Sequence, residues 1–97
     1  MKLTWSAFAL SDRDAIFTYI EADNPAAAVL IDEWIVAASR RLLDFPASGR
    51  VGRIAGTRGL VIYGTPYIAA YAVTETTVRI LRLLHGAQEW PETLATC

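Results

Sequence analysis

Charge of one sign is the first thing this 97-residue chain lacks: nine basic side chains stand against ten acidic ones, for a net charge of −1. A protein that grips nucleic acid unaided needs a strong basic excess to displace counterions. The chain as a whole has none. Lysine is reduced to Lys2 and histidine to His85. The only cysteine, Cys97, is the last residue, so no internal disulfide can form, and a reducing compartment suits it. One Cys and one His argue against a zinc site. No long apolar run is present either. The stretch 60–73 is broken by Gly64, Thr65 and Pro66 and falls short of the roughly 18 residues a membrane helix needs. Lys2 and a short apolar stretch meet Ser11-Asp12-Arg13-Asp14 too soon for a signal peptide. We therefore expect a soluble, cytoplasmic protein with no membrane contact, no metal and no cofactor.

What is there is apolar. Hydrophobic residues make up 54% and charged ones 20%, which is not a disordered composition. The expectation is one domain over 1–97, with a flexible tail at 93–97. So short a chain has much surface per unit volume, and an extensive protein partner would take its surplus apolar side chains out of water. The charge is also uneven. Residues 1–45 hold four basic and seven acidic residues, a net of −3; residues 46–97 hold five and three, a net of +2.

Alternating Leu3, Trp5 and Ala7, with Phe8 and Leu10 switching parity, suggest a first strand over 2–10. Ser11 then opens a weak capping box, and Ile16, Tyr19 and Ile20 predict a helix over about 12–22. Asn24-Pro25 is a strong start for a second helix. Ala27, Leu30, Ile31, Trp34, Ile35, Ala38 and Leu42 recur at helical spacing, and Pro46 stops them. The link is short, so the two helices should form an antiparallel hairpin. Gly49, Gly52, Gly56 and Gly59 punctuate the next stretch. Their spacing is wrong for a phosphate-binding loop, and no Gly-Lys-Ser/Thr follows. Strands are expected at 60–63, 67–73 and 78–84 as an antiparallel meander, with a short helix at 91–95. The fold class is α+β: a helix hairpin on a twisted antiparallel sheet, in the order β-α-α-β-β-β.

In that order the residues resemble a family. Trp5 in the first strand, Asn24-Pro25, the Pro-x-x-Gly-Arg loop at 46–50, Thr57-Arg58-Gly59-Leu60, Tyr67-x-x-x-Tyr71 and His85-Gly-x-x-x-Trp90-Pro91 together resemble the RelE/ParE toxins over about residues 3–92. Gly59 stands where the family usually has Glu, and Gln88 where it usually has Arg. The resemblance implies a toxin of a bacterial type II toxin–antitoxin system. RelE-like members cut ribosome-bound messenger RNA; ParE-like members poison DNA gyrase. Each is neutralised by an antitoxin that wraps it, and the antitoxin carries the contact with DNA.

The ParE-like branch is favoured, with a ParD-like antitoxin and DNA gyrase as partners. RNA cleavage needs a base, an acid and a phosphorane stabiliser. This chain's only lysine lies at its far end, and no tyrosine follows Tyr71. Were it a nuclease, Arg58, Arg79 and His85 would be the candidates. Strict alternation puts Arg79 and His85 on one face, flanking Leu81 and Leu83. A structural His at a strand end is the plainer reading of His85. Candidates for the target contact are Arg50, Arg58, His85 and Trp90. Arg58 and Arg53 also read as solvated loop arginines, Arg53 the more so. Candidates for the antitoxin contact are Leu30, Trp34, Leu60 and Tyr63. Trp34 is expected in the core, but at the rim it would make a good anchor. Trp90 should pin the tail to the sheet. The acidic residues of the two helices read as a solvated face. A third reading stays open through Gly59 and Gln88: a non-toxic scaffold that only binds an antitoxin or co-represses its operon.

Overall fold

The first helix starts five residues earlier than its sequence suggests. In the computed structural model, which describes residues 1–52 and 54–86, strand β1 covers only Lys2–Trp5 and helix α1 runs Ala7–Glu21. Ser6, not Ser11, is the N-cap, and its Oγ accepts from the Ala9 N–H at 3.0 Å. The parity break at Phe8 and Leu10 is thus the onset of helical spacing, with Ala9 fully buried and Ile16 packed on the core. Helix α2, Pro25–Arg41, begins where expected, and Asn24 Oδ1 accepts from the Ala27 N–H. Arg13 joins the hairpin to β1. It donates two bonds to the Asp32 carboxylate, at 3.1 and 3.0 Å, and its guanidinium lies 4.8 Å from the Trp5 ring centre.

The sheet has the order β1-β5-β4-β3-β2. Strands β3 (Thr57–Val61), β4 (Tyr67–Val73) and β5 (Thr77–His85) form the expected antiparallel meander. Two features add to it. β1 joins β5 in parallel, which makes the sheet mixed, and a two-residue edge strand β2, Arg50–Val51, pairs with β3. β3 also starts earlier than the apolar run, because Arg58 and Gly59 have partners in β2 as well as β4. The hairpin covers one face. Ala9, Ile35, Ala38 and Leu42 pack there on Ile62, Ala69, Tyr71, Val78, Ile80 and Leu83. The expectations for Arg53, Gln88, Trp90, the helix at 91–95 and the tail at 93–97 lie outside the described residues.

A bulge corrects the expected facing of β5. Tyr71 pairs with Ile80 but Ala70 pairs with Arg82, so Leu81 is an extra residue. Alternation restarts after it. Arg79 lies beside Ala72, whereas His85 lies beside Tyr67 on the face that carries Ala69 and Tyr71. Arg79 and His85 are therefore on opposite faces.

The bulge sits where β5 loses its outer neighbour. β1 ends at Trp5, opposite Ile80. Beyond it, side chains replace the missing strand. Ser6 Oγ donates to the Leu81 carbonyl at 2.7 Å. Asp12 Oδ2 accepts from the Leu83 N–H at 2.9 Å and from Arg82 Nε at 2.7 Å, while Oδ1 accepts from the second Arg82 nitrogen. The bond to Asp12 holds Arg82's pKa above its already high ordinary value. Asp12 is thus no part of the expected solvated face and, with Arg82, caps the edge. Asp12→Ala should lower unfolding free energy by about 1–3 kcal/mol, because a backbone N–H and a half-covered guanidinium lose their acceptor together. Urea denaturation measures this; a change below about 0.5 kcal/mol would mean that water serves the edge equally well.

Candidate functional site

The loop between α2 and β2 is held by a buried phenol. Tyr71 is fully buried in β4, and its hydroxyl reaches out of the core to that loop. It donates to the Pro46 carbonyl at 2.8 Å and accepts from the Gly49 N–H at 2.9 Å. Gly49 is required here, since a Cβ on it would stand 2.6 Å from that hydroxyl. Arg58, Tyr71's cross-strand neighbour, adds bonds to the carbonyls of Gly49 at 2.9 Å and Ala47 at 3.4 Å. Arg58 is therefore a loop clamp, more than a free contact residue. Its partners are neutral, so its charge stays uncompensated. Arg50, in β2, is exposed beside it.

The clamped loop borders an apolar groove. Helix α2 carries two stripes. Ile31, Ile35, Ala38 and Leu42 face the core, while Leu30 and Trp34 lie one residue around, 44% and 40% exposed. Single-sequence periodicity merges the two stripes, which is why Trp34 reads as core. It is at the rim instead. Its ring lies on Gly64 in the β3–β4 turn, where φ is +83° and a Cβ would come within 2.8 Å of the ring. Both the left-handed backbone and the contact call for glycine. Tyr63, next to it, is 89% exposed, and Val61 and Phe45 are also exposed. Between them is a cavity of about 290 Å³ lined by Ala38, Arg41, Phe45, Leu60, Val61 and Tyr63. The structure thus assembles Leu30, Trp34, Leu60 and Tyr63 along one flank. Sequence reasoning missed Arg41, Phe45 and Val61. Their only sequence signal was apolar or basic character beside a loop.

The three nuclease candidates do not converge. Arg58 is engaged on the loop. Arg79 donates to Thr4 Oγ1 at 3.2 Å on the other face of the sheet. His85 lies six residues along β5 from Arg79, roughly 20 Å at strand rise. It meets the Tyr67 ring edge-on, with centroids 5.9 Å apart. Burial, and then Tyr19, raise the Tyr67 pKa, so the phenol keeps its proton at neutral pH and cannot act as a base there. Among the described residues, no three His, Cys, Asp or Glu side chains come together as a metal site. No helix among them is long and apolar enough to cross a membrane.

Residues 3–90 match the family model described as the ParE toxin of the type II toxin–antitoxin system parDE. The chain belongs to this family. It is 42% identical over 93 residues to Y4kP of Sinorhizobium fredii, named as a candidate toxin, with 96% of each chain covered. Toxin RelE2 of Caulobacter vibrioides is 33% identical over 87 residues, which cover 90% of this chain and 97% of that one. A solved chain of the chromosomal ParDE toxin–antitoxin system from P. aeruginosa superposes with a TM-score of 0.80 at 27% identity, covering 88% of this chain and 95% of that one. The RelE/ParE resemblance and its ParE-like branch are thereby established, and the α+β fold is the one seen in that relative.

The Trp34–Gly64 contact gives a direct test of the groove's wall. Gly64→Ala should cost about 1–3 kcal/mol, through the disfavoured φ and displacement of the ring. It should also shift the chemical shifts of the Trp34 indole. An unchanged melting temperature together with an unchanged indole resonance would show that the ring does not lie on this turn.

Proposed function

We propose that this ParE-family toxin acts by binding rather than by chemistry of its own, with DNA gyrase as its target and a ParD-like antitoxin as its neutralising partner. The observation that carries the reading is the separation of Arg58, Arg79 and His85. Phosphodiester cleavage would need a base, an acid and a charge stabiliser within hydrogen-bond reach of one phosphate, and these three residues lie on two faces and at two ends of the sheet. The toxin would hold gyrase in a DNA-cleaved state through higher affinity for that state. Arg50 and His85 remain candidates for that contact, with Trp90 a candidate from the sequence alone, since Arg58's guanidinium is already engaged on the loop.

The antitoxin reading draws on the groove. Trp34 and Tyr63 are large, rigid side chains that are 40% and 89% exposed, and such residues are enriched among binding hot spots. The antitoxin would cover them and would carry any contact with DNA. A cytoplasmic setting follows from a cytoplasmic target.

Expression without antitoxin separates the possibilities. Pulse-labelling of protein synthesis just after induction, with DNA-damage signalling followed in the same cells, should show damage signalling while translation is still intact. Immediate collapse of translation would overturn the gyrase reading and restore the nuclease one. Growth with neither effect would leave only the antitoxin-binding scaffold.

A further inference from the structure

Arg58 clamps the loop with one nitrogen only. Nη1 makes both bonds, to the carbonyls of Gly49 and Ala47, while Nε and Nη2 have no partner among the described residues. Those two nitrogens carry the parallel N–H groups with which a guanidinium grips a carboxylate side-on. The same arginine lines a second cavity, of about 270 Å³, together with Val51, Gly56, Thr57 and Val73. This cavity shares no described lining residue with the groove beside Trp34, and no helix residue is among its walls.

Strand register builds it. Val51 and Tyr71 are Arg58's cross-strand neighbours, so their side chains share one face of the sheet, and Val73 follows two residues after Tyr71. Val51 is 78% and Val73 38% exposed, so two walls are apolar and uncovered. At the β2–β3 turn Gly56 has a φ of +80°, and a Cβ on it would meet nothing within 4 Å, so the mouth is open there. The Thr57 hydroxyl adds no donor, because it already donates to the Ile54 carbonyl at 2.6 Å. Arg58 is the one charged group among the described lining residues.

One fixed cation between apolar walls suits one anion with an apolar neighbour. A nucleic acid strand would need several cations along its backbone. Arg50, next to Val51 in β2, turns to the other face of the sheet, and Arg41 lines the other cavity. The fitting ligand is therefore a protein carboxylate. We propose that this cavity is a carboxylate-binding site for the target: an Asp or Glu side chain of gyrase meets Nε and Nη2 of Arg58, and Val51 and Val73 cover an apolar residue beside it. The loop carbonyls hold the guanidinium in place beforehand, so little ordering is left to be done on binding. The inference rests on the gyrase reading and adds to Arg50 and His85 a contact of stated chemistry.

The test fills the site from within. Val51→Glu places a carboxylate on Arg58's cross-strand neighbour, at an exposed position of the edge strand. Val51→Gln has the same length without the charge. Slow exchange of the Gly49 amide reports that the loop clamp is intact in each variant; if Val51→Glu loses it, Val73→Glu places the same charge on another wall. The full chains are titrated against gyrase holding a DNA duplex, against that duplex alone, and against the antitoxin encoded beside the toxin. Val51→Glu should weaken binding to gyrase by about tenfold or more, and Val51→Gln by less than about threefold, with antitoxin affinity unchanged. Equal binding by both variants and the unaltered chain would overturn the proposal and leave the gyrase reading standing. Equal losses in the two variants would make the contact one of shape and overturn the carboxylate. A loss by Val51→Glu on the duplex alone would assign the anion to a DNA phosphate, and a loss on the antitoxin alone would assign it to the antitoxin; either overturns the proposal. An unaltered chain that does not bind gyrase would end both readings.

Discussion

A single buried phenol decides the shape of the working side of this protein. The Tyr71 ring belongs to the core, but its hydroxyl spans the gap to the α2–β2 loop and serves both of that loop's ends. A tyrosine is suited to this, because its ring buries apolar area while its one polar atom is carried to the boundary. Three things follow from the loop's position. Arg58 is drawn inward as a clamp. β2 is cut to two residues, which leaves Val61 open. Phe45 is left exposed on the rim of the groove opposite Tyr63. Some of the exposed apolar side chains, Phe45, Val61 and Tyr63, thus collect around one cavity.

The opposite flank solves an edge problem differently. There β1 is too short to cover β5, and Ser6 and Asp12 serve the uncovered main chain. Two edges of one sheet therefore have different fates. One is sealed by side chains from α1. The other leaves Val61 exposed beside a cavity that Arg41 also lines, near a loop clamped by Arg58. That asymmetry is in keeping with the proposal that the toxin acts by surface contact.

What the sequence reveals follows from how local each cause is. Asn24-Pro25 starts a helix by its own chemistry, and the apolar run from Tyr67 to Val73, with Gly64-Thr65-Pro66 before it and Thr74 after it, is local to that strand, so both are legible. The start of α1 is not, because Ser6 and Ser11 are both plausible caps. What favours Ser6 is a bond to Leu81, 75 residues away. The bulge at Leu81 is hidden for the same reason, and with it the separation of Arg79 from His85. Leu30 and Trp34 read as part of one helical stripe, and only the packing of α2 puts them at the rim. Arg58's inward role is not legible either, since it depends on a loop that Tyr71 places.

The account stands most directly on the Tyr71 hydroxyl, and Tyr71→Phe removes that atom alone. The Gly49 amide should lose its protection from exchange, unfolding free energy should fall by about 1–3 kcal/mol as a buried N–H loses its acceptor, and antitoxin affinity should drop while the α1–α2 hairpin keeps its protection. If Gly49 stays protected and the antitoxin binds with unchanged affinity, the loop is held by something else and the phenol does not shape the site.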